Sequence, residues 1–239
     1  FIETGSIGGG STQNPTGNIG YAKADISGGD IIGQFLMAAG GTEACSFTMT
    51  GGTIHDVNLH DKTKYDYKKE NGGAVYMDDP IGTATLSGGT ISGCSAENGG
   101  AVYMTAGEFT ISGEGKIENC KAKENGGAIY LGGGALNISG GSIVGNGATD
   151  GGGAFVNGGN VNVTAGSVVG NTAKNSGGGI AVNNGNYKMT GGTVDNNNAQ
   201  QGSGGGIYVS SDGKNVTVGV HSGSVSGNHA NVSGGALAV

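Results

Sequence analysis

Short runs of alternating apolar and polar residues, each closed by glycine, follow one another along the chain. The run Val75-Tyr76-Met77, behind Asn71-Gly72-Gly73-Ala74, returns as Val102-Tyr103-Met104 and Ile129-Tyr130-Leu131. Weaker copies start at Gly151, Gly177, Gly204 and Gly234. Anchored after the glycine pair, the copies are separated by steps of 27, 27, 25, 26, 27 and 30 residues. A second run lies between the anchors: Phe47-Thr48-Met49-Thr50, then Ala84-Thr85-Leu86-Ser87, Phe109-Thr110-Ile111-Ser112 and four later copies, the last Val216-Thr217-Val218-Gly219. A glycine turn and a small apolar run follow each, carrying Ile54, Ile91, Ile117, Ile143, Val168, Val194 and Val225. Alternation with period two predicts strands. Strands this short cannot bury a face alone, so the repeat predicts coils stacked about 4.8 Å apart around one narrow core. The expected fold is all-β: a right-handed parallel β-helix, or solenoid, with three strands per coil and about 26 residues per coil, the hand following the default for parallel crossovers.

Aligned copies become columns in space. The first strand turns Val75, Val102, Ile129, Ala154, Ile180, Ile207 and Leu237 inward, with Met77, Met104, Leu131, Val156, Val182, Val209 and Val239 two residues on. Between them an outward column reads Tyr76, Tyr103, Tyr130, Phe155, Ala181, Tyr208 and Ala238. In-register aromatics stack and stiffen a sheet, or offer a platform to a sugar or a partner protein. Tyr76, Tyr103, Tyr130, Phe155 and Tyr208 are accordingly the candidate ligand-binding residues. The second strand turns Met49, Leu86, Ile111, Ile138, Val163, Met189 and Val218 inward, between outward columns rich in Thr and Ser. A flat hydroxyl array resembles the ice-binding faces of some β-solenoids, although Asn and Lys interrupt it at Asn137, Asn162 and Lys188. A third column, Val57, Cys94, Cys120, Asn146, Asn171, Asn197 and Asn228, is expected to form a hydrogen-bonded ladder at a bend. Two residues further, Ala96, Ala122, Ala148, Ala173, Ala199 and Ala230 mark a tight inner corner.

The motif Gly126-Gly127-Ala128-Ile129, with the tetrapeptides Ile143-Val144-Gly145-Asn146, Val168-Val169-Gly170-Asn171, Val194-Asp195-Asn196-Asn197 and Val225-Ser226-Gly227-Asn228, resembles the polymorphic outer-membrane protein repeats and related adhesin-like β-helix proteins of bacterial surfaces. The resemblance covers about residues 47–239 and departs in using Ile or Val where that family prefers Phe. It implies a bacterial surface or secreted context. Such repeats speak for the fold far more than for the function.

Composition narrows the classes. Of 239 residues 56 are Gly and two are Pro, which excludes a helical bundle and collagen. The formal charge is −7 and no Arg is present, which argues against nucleic acid and anionic membranes as partners. No apolar run of about 18 residues exists to span a membrane as a helix. Residues 1–42 read as irregular N-terminal rungs or a cap, and 43–239 as regular repeats with an inserted loop near 55–70. The chain opens without Met and closes in mid-strand at Val239, so it reads as an excised piece of a longer protein or as a subunit that stacks head to tail into fibres.

Candidate chemistry is sparse. Cys94 and Cys120 share a column and form the disulfide candidate, with two stacked thiols as the other reading. His55, Asp56, His60 and Asp61 have no spacing of an established metal site, so no metal and no cofactor is expected. Fifteen of the eighteen acids lie in residues 1–124, and the best local pair, in Asp78-Asp79-Pro80, reads as a solvated turn. The expected function is a non-enzymatic, extracellular or cell-surface structural or adhesin-like module. Its partners would be a glycan, a host or cell-surface protein, or another copy end to end. The alternatives are a carbohydrate-active β-helix enzyme, which needs carboxylates or a carboxylate with a base on neighbouring rungs, or an ice-binding solenoid.

Overall fold

A computed structural model describes residues 2–4, 7–8, 23–38, 44–60, 70–213 and 215–239. It is an all-β solenoid of parallel sheets, about eight turns with roughly 26 residues per coil. Three sheets run along it, of 12, 8 and 6 strands. Each coil contributes a short strand (Val75–Asp78, Val102–Met104, Ile129–Leu131 and their copies), a long one (Ser46–His55, Thr83–Ser92, Gly134–Val144, Gly159–Val169, Asn186–Asp195) and a two-residue one (Ser95–Ala96, Lys121–Ala122, Thr172–Ala173). The second and third sequence runs are therefore one strand bent across its glycine pair. The third sheet is the alanine corner. Register shifts at Met49/Thr50, Ile138/Ser139 and Met189/Thr190 mark bulges at these bends, which let the ladder continue around the corner, while Gly159–Val169 pairs with Asn186–Asp195 in one register throughout. In one coil an extra residue, Glu114 between Gly113 and Gly115, splits the strand into Glu108–Ile111 and Lys116–Glu118.

The core is the stack of inward columns. Val75, Met77, Leu86, Ile91, Val102, Met104, Ile111, Ile129, Ile138, Ile143, Val163, Val168 and Ile180 are all buried. A further inward column, Phe47, Ala84, Phe109, Leu136, Val161 and Tyr187, fills the space beside them. Regular register begins earlier than residue 43. Lys23–Ile26 and Asp30–Ile31 pair parallel with the two halves of Ser46–His55, and Phe35–Ala38 pairs with Val75–Asp78. Ile2–Thr4 and Ile7–Gly8 then pair antiparallel onto that first coil, covering an edge that a parallel stack leaves open. His55 to Leu59 also belong to the coil: Val57 and Leu59 are buried and Asn58 bridges Ser95. The rest of the inserted loop, 61–69, lies outside the described residues.

The last coil corrects one register. Val220, not Val218, lies opposite Met189, and Val218 lies opposite Tyr187. Val216, Val218 and Val220 alternate equally well, and a slip of two keeps every side chain on its own face. The distance to the next apolar column decides: Met49 to Ile54, Leu86 to Ile91 and Val163 to Val168 are five apart, as are Val220 and Val225. Gly219 consequently sits beside Lys188.

The buried asparagine ladder is the most regular polar feature. The Asn171 amide Nδ2 donates to Ile143 O at 3.0 Å and to Asn197 Oδ1 at 3.0 Å, and the Asn171 backbone N–H donates to the same Oδ1 at 2.9 Å. Asn146 repeats this pattern toward Ile117 and Asn171, and Asn197 toward Val168 and Asn228. Each carboxamide thus bonds the coil on either side and satisfies a corner carbonyl. The residue before each ladder position holds positive φ: Asp56, Gly93, Asn119, Gly145, Gly170, Asn196 and Gly227. These are the residue types that tolerate the left-handed conformation, and it turns the following side chain into the core.

Candidate functional site

Two surface features can meet a partner: the outward aromatic column and a furrow beside the long strands. The aromatic column is carried by the middle residue of each short strand, so exact register brings the rings into line. Tyr76 and Tyr103 stack with centroids 5.3 Å apart, Tyr103 and Tyr130 4.8 Å, and Tyr130 and Phe155 5.7 Å, all within 9° of parallel. Ring faces in the middle of this pillar are covered by the neighbouring rings, and ring edges remain for solvent. Burial pushes the Tyr103 phenol above its ordinary value, with the flanking phenols adding to the shift. Tyr208 stands apart, between Ala181 and Ala238 in its column. Leu36, opposite Tyr76 and 53% exposed, extends the column at the other end.

This geometry favours stiffening over sugar stacking. Tyr103 makes two ring contacts, worth about 0.5–1.5 kcal/mol each beyond burial. Tyr103→Ala is therefore expected to lower unfolding free energy by about 2 kcal/mol more than Tyr208→Ala, as read from urea denaturation.

The furrow runs over the outward residues at the start of the long strands. One part, about 390 Å³, lies between Pro80 and Asn160, and the other, about 400 Å³, between Ala135 and His221. Ala135 and Asn160 line both, so the two adjoin along the rod axis as one shallow furrow. Carboxamides of Asn160, Asn162 and Asn186 line it and belong to a second, solvent-facing set of ladders: Asn162 donates to Asn137 at 2.9 Å, Asn137 to Glu108 at 2.7 Å, and Asn186 to Asn160 at 2.9 Å. Lys188 stands exposed near one end, and among the described residues no ion-pair partner faces it. The imidazole of His221 lies across Gly219, where a Cβ would come within 2.9 Å of Nε2.

The other candidates find structural roles. Cys94 and Cys120 are buried thiols with no disulfide between them, and Cys45 is buried as well. Cys94 Sγ donates to Ser92 O and Cys120 Sγ to Glu118 O, each at 3.3 Å, in the places the asparagines take in later coils. Burial pushes the Cys120 thiol well up, with the Cys94 sulfur alongside adding to it. Asp79 departs from the solvated turn expected of it. It is fully buried, its Oδ2 accepting the Cys45 backbone N–H at 2.6 Å and its Oδ1 that of Ile81 at 3.0 Å. That pins the chain from the preceding coil to the turn.

His55 is held by Asp56, 2.8 Å from Nδ1, and Asp30, 2.8 Å from Nε2. The hydrogen bond to Asp56 leads the causes that raise its pKa from 6.5, against a smaller opposing effect of burial. A raised folded pKa means that the stabilisation is fully present below pH 6.5 and is lost as pH rises through the folded value. An NMR titration should therefore find a His55 midpoint above 6.5, and Asp56→Asn should bring it down. The structure pairs His55 with these aspartates; Asp61 lies outside the described residues.

No helix among the described residues is long and apolar enough to cross a membrane. Comparison with protein-family models, curated proteins and solved structures finds no match for this chain.

Proposed function

We propose that the chain is a non-enzymatic, extracellular structural or adhesin-like β-solenoid module of a bacterial surface or secreted protein, working as a stiff rod that presents one repeated face. The observation that carries this reading is where its polar and aromatic side chains make their bonds. Asn146, Asn171, Asn197 and Asn228 bond from coil to coil, as do Tyr76, Tyr103, Tyr130 and Phe155. Bonds of this kind run along the axis and resist parting of the coils, which a spacer or adhesin needs more than an enzyme does. The resemblance of the repeats to polymorphic outer-membrane protein repeats supports the surface setting.

The test is incubation of the purified protein with a panel of polysaccharides, scoring retention and product release separately. Retention without new chain ends, or neither retention nor products, fits an adhesin or a spacer respectively. New reducing ends or unsaturated products would replace this reading by a carbohydrate-active enzyme.

A further inference from the structure

We infer that the furrow beside the long strands is a binding site for an extended, carboxylated oligosaccharide, lying along the rod with one carboxylate at Lys188. The inference rests on the adhesin side of the reading above. A ligand running along the axis meets a new rung of side chains about every 4.8 Å. Three coil steps separate the Glu108 rung from the Asn186–Lys188 rung, about 14 Å, so the furrow is long enough for a few rings in a row.

The lining matches a polyhydroxylated chain. Carboxamides of Asn160, Asn162 and Asn186 supply donors and acceptors together, and a sugar hydroxyl is both. Low points at Ala135 and Gly219 leave room for the C–H face of a ring. A peptide strand is a poorer fit, because the sheet hydrogen bonds in the floor are taken by the coils on either side and offer no edge to extend. Charge sets the direction. Glu108, at the far end, accepts from Asn137 and Thr110, and would take a hydroxyl but repel a carboxylate. Lys188, exposed beside Gly219 and with His221 next to it, is where an anion fits. In a chain of formal charge −7 an unopposed ammonium on a groove wall is a local exception, and an acidic sugar would exploit it.

The experiment uses calorimetric titration of the whole chain with oligogalacturonate, with a hyaluronan oligosaccharide, and with carboxyl-reduced oligogalacturonate. Binding of either uronate supports the inference, and comparing the two distinguishes a plant-type from an animal-type source. Removing the carboxylates is expected to weaken wild-type binding about tenfold, and Lys188→Gln to do the same. The two losses should not add, because they delete the same contact. Asn162→Ala should weaken binding of both the uronate and its reduced form, while Lys121→Gln, on the two-residue strands, should change nothing. Equal affinity for native and reduced sugar, additive losses, or an equal loss from Lys121→Gln would overturn the inference. So would no uronate binding while other glycans on the polysaccharide panel are retained, an outcome that leaves the adhesin reading standing. Cleavage on that panel would instead overturn the adhesin reading.

Discussion

Gly127→Ala is expected to destabilise the solenoid by about 3 kcal/mol or more, against the 1–3 kcal/mol usual for an overpacked site. A Cβ at Gly127 would collide with the Gly152 carbonyl and with the backbone of Gly147, all atoms of the next coil. The same collision recurs at Gly100 against Gly127 and at Gly152 against Gly178. Backbone held in a ladder cannot yield as the end of a side chain can, so the coils would have to part. Gly170 provides the contrast. Its φ is +66° and nothing lies within 4 Å of an added Cβ. Gly170→Ala should therefore cost only the left-handed strain, about 1–2 kcal/mol. Gly170→Asn should cost less still, since Asn119 and Asn196 hold this conformation at the equivalent positions. Denaturant midpoints with unchanged slopes would establish the order Gly127→Ala, Gly170→Ala, Gly170→Asn, from most to least damaging.

Asn171→Val should cost about 3–5 kcal/mol, from two or three buried groups left unpaired at about 1–3 kcal/mol each. The substitution strips the partner from the Asn146 backbone N–H and from one Asn146 Nδ2 hydrogen, and leaves the Ile143 carbonyl without its donor. Asn171 is fully buried, so water cannot take over these bonds without opening the corner. The equivalent loss at Asn228, nearer the end of the described ladder and only partly buried, should be smaller. Thermal unfolding of the two variants side by side would measure the difference.

The fold was legible because its period is written in residues with few substitutes. Glycine pairs such as Gly126-Gly127 recur at one offset because a backbone turns there and a neighbouring coil approaches closely. Alternating runs such as Val102-Tyr103-Met104 announce their own faces. Three things were harder to read. Ser46–His55 is one strand, since the glycine pair bends the ladder without breaking it, and alternation alone cannot tell a bend from a break. The register of Val218 needed the five-residue spacing to Val225, a signal present in the sequence but outweighed by the look of the Val-Thr-Val run. Asp79 reads as a surface acid because nothing local reveals that the Cys45 and Ile81 amides converge on it from two segments. The left-handed position before each ladder residue was also open to inspection: across seven coils it is Asp, Asn or Gly and nothing else.

Much less of the candidate site was legible. Register made the aromatic column plain, but the sequence could not say whether ring faces or ring edges meet the solvent, and stacking at 4.8–5.7 Å covers the faces between neighbours. The furrow left almost no trace. Asn162 and Lys188 looked like drift in a hydroxyl column, and Glu108, Asn160 and Asn186, two residues earlier in their strands, gave no sign of a lining. A site built across coils from unlike residues carries no period, and periodicity was the strongest signal available.

The central claim is that side-chain polarity inside this rod is committed to bonds along its axis. Solvent exchange of the carboxamide protons of Asn146, Asn171 and Asn197, followed by NMR at neutral pH, tests it most directly. Protection comparable to that of core backbone amides in the long strands is the predicted result. Exchange as fast as that of an exposed carboxamide such as Asn160 would contradict it.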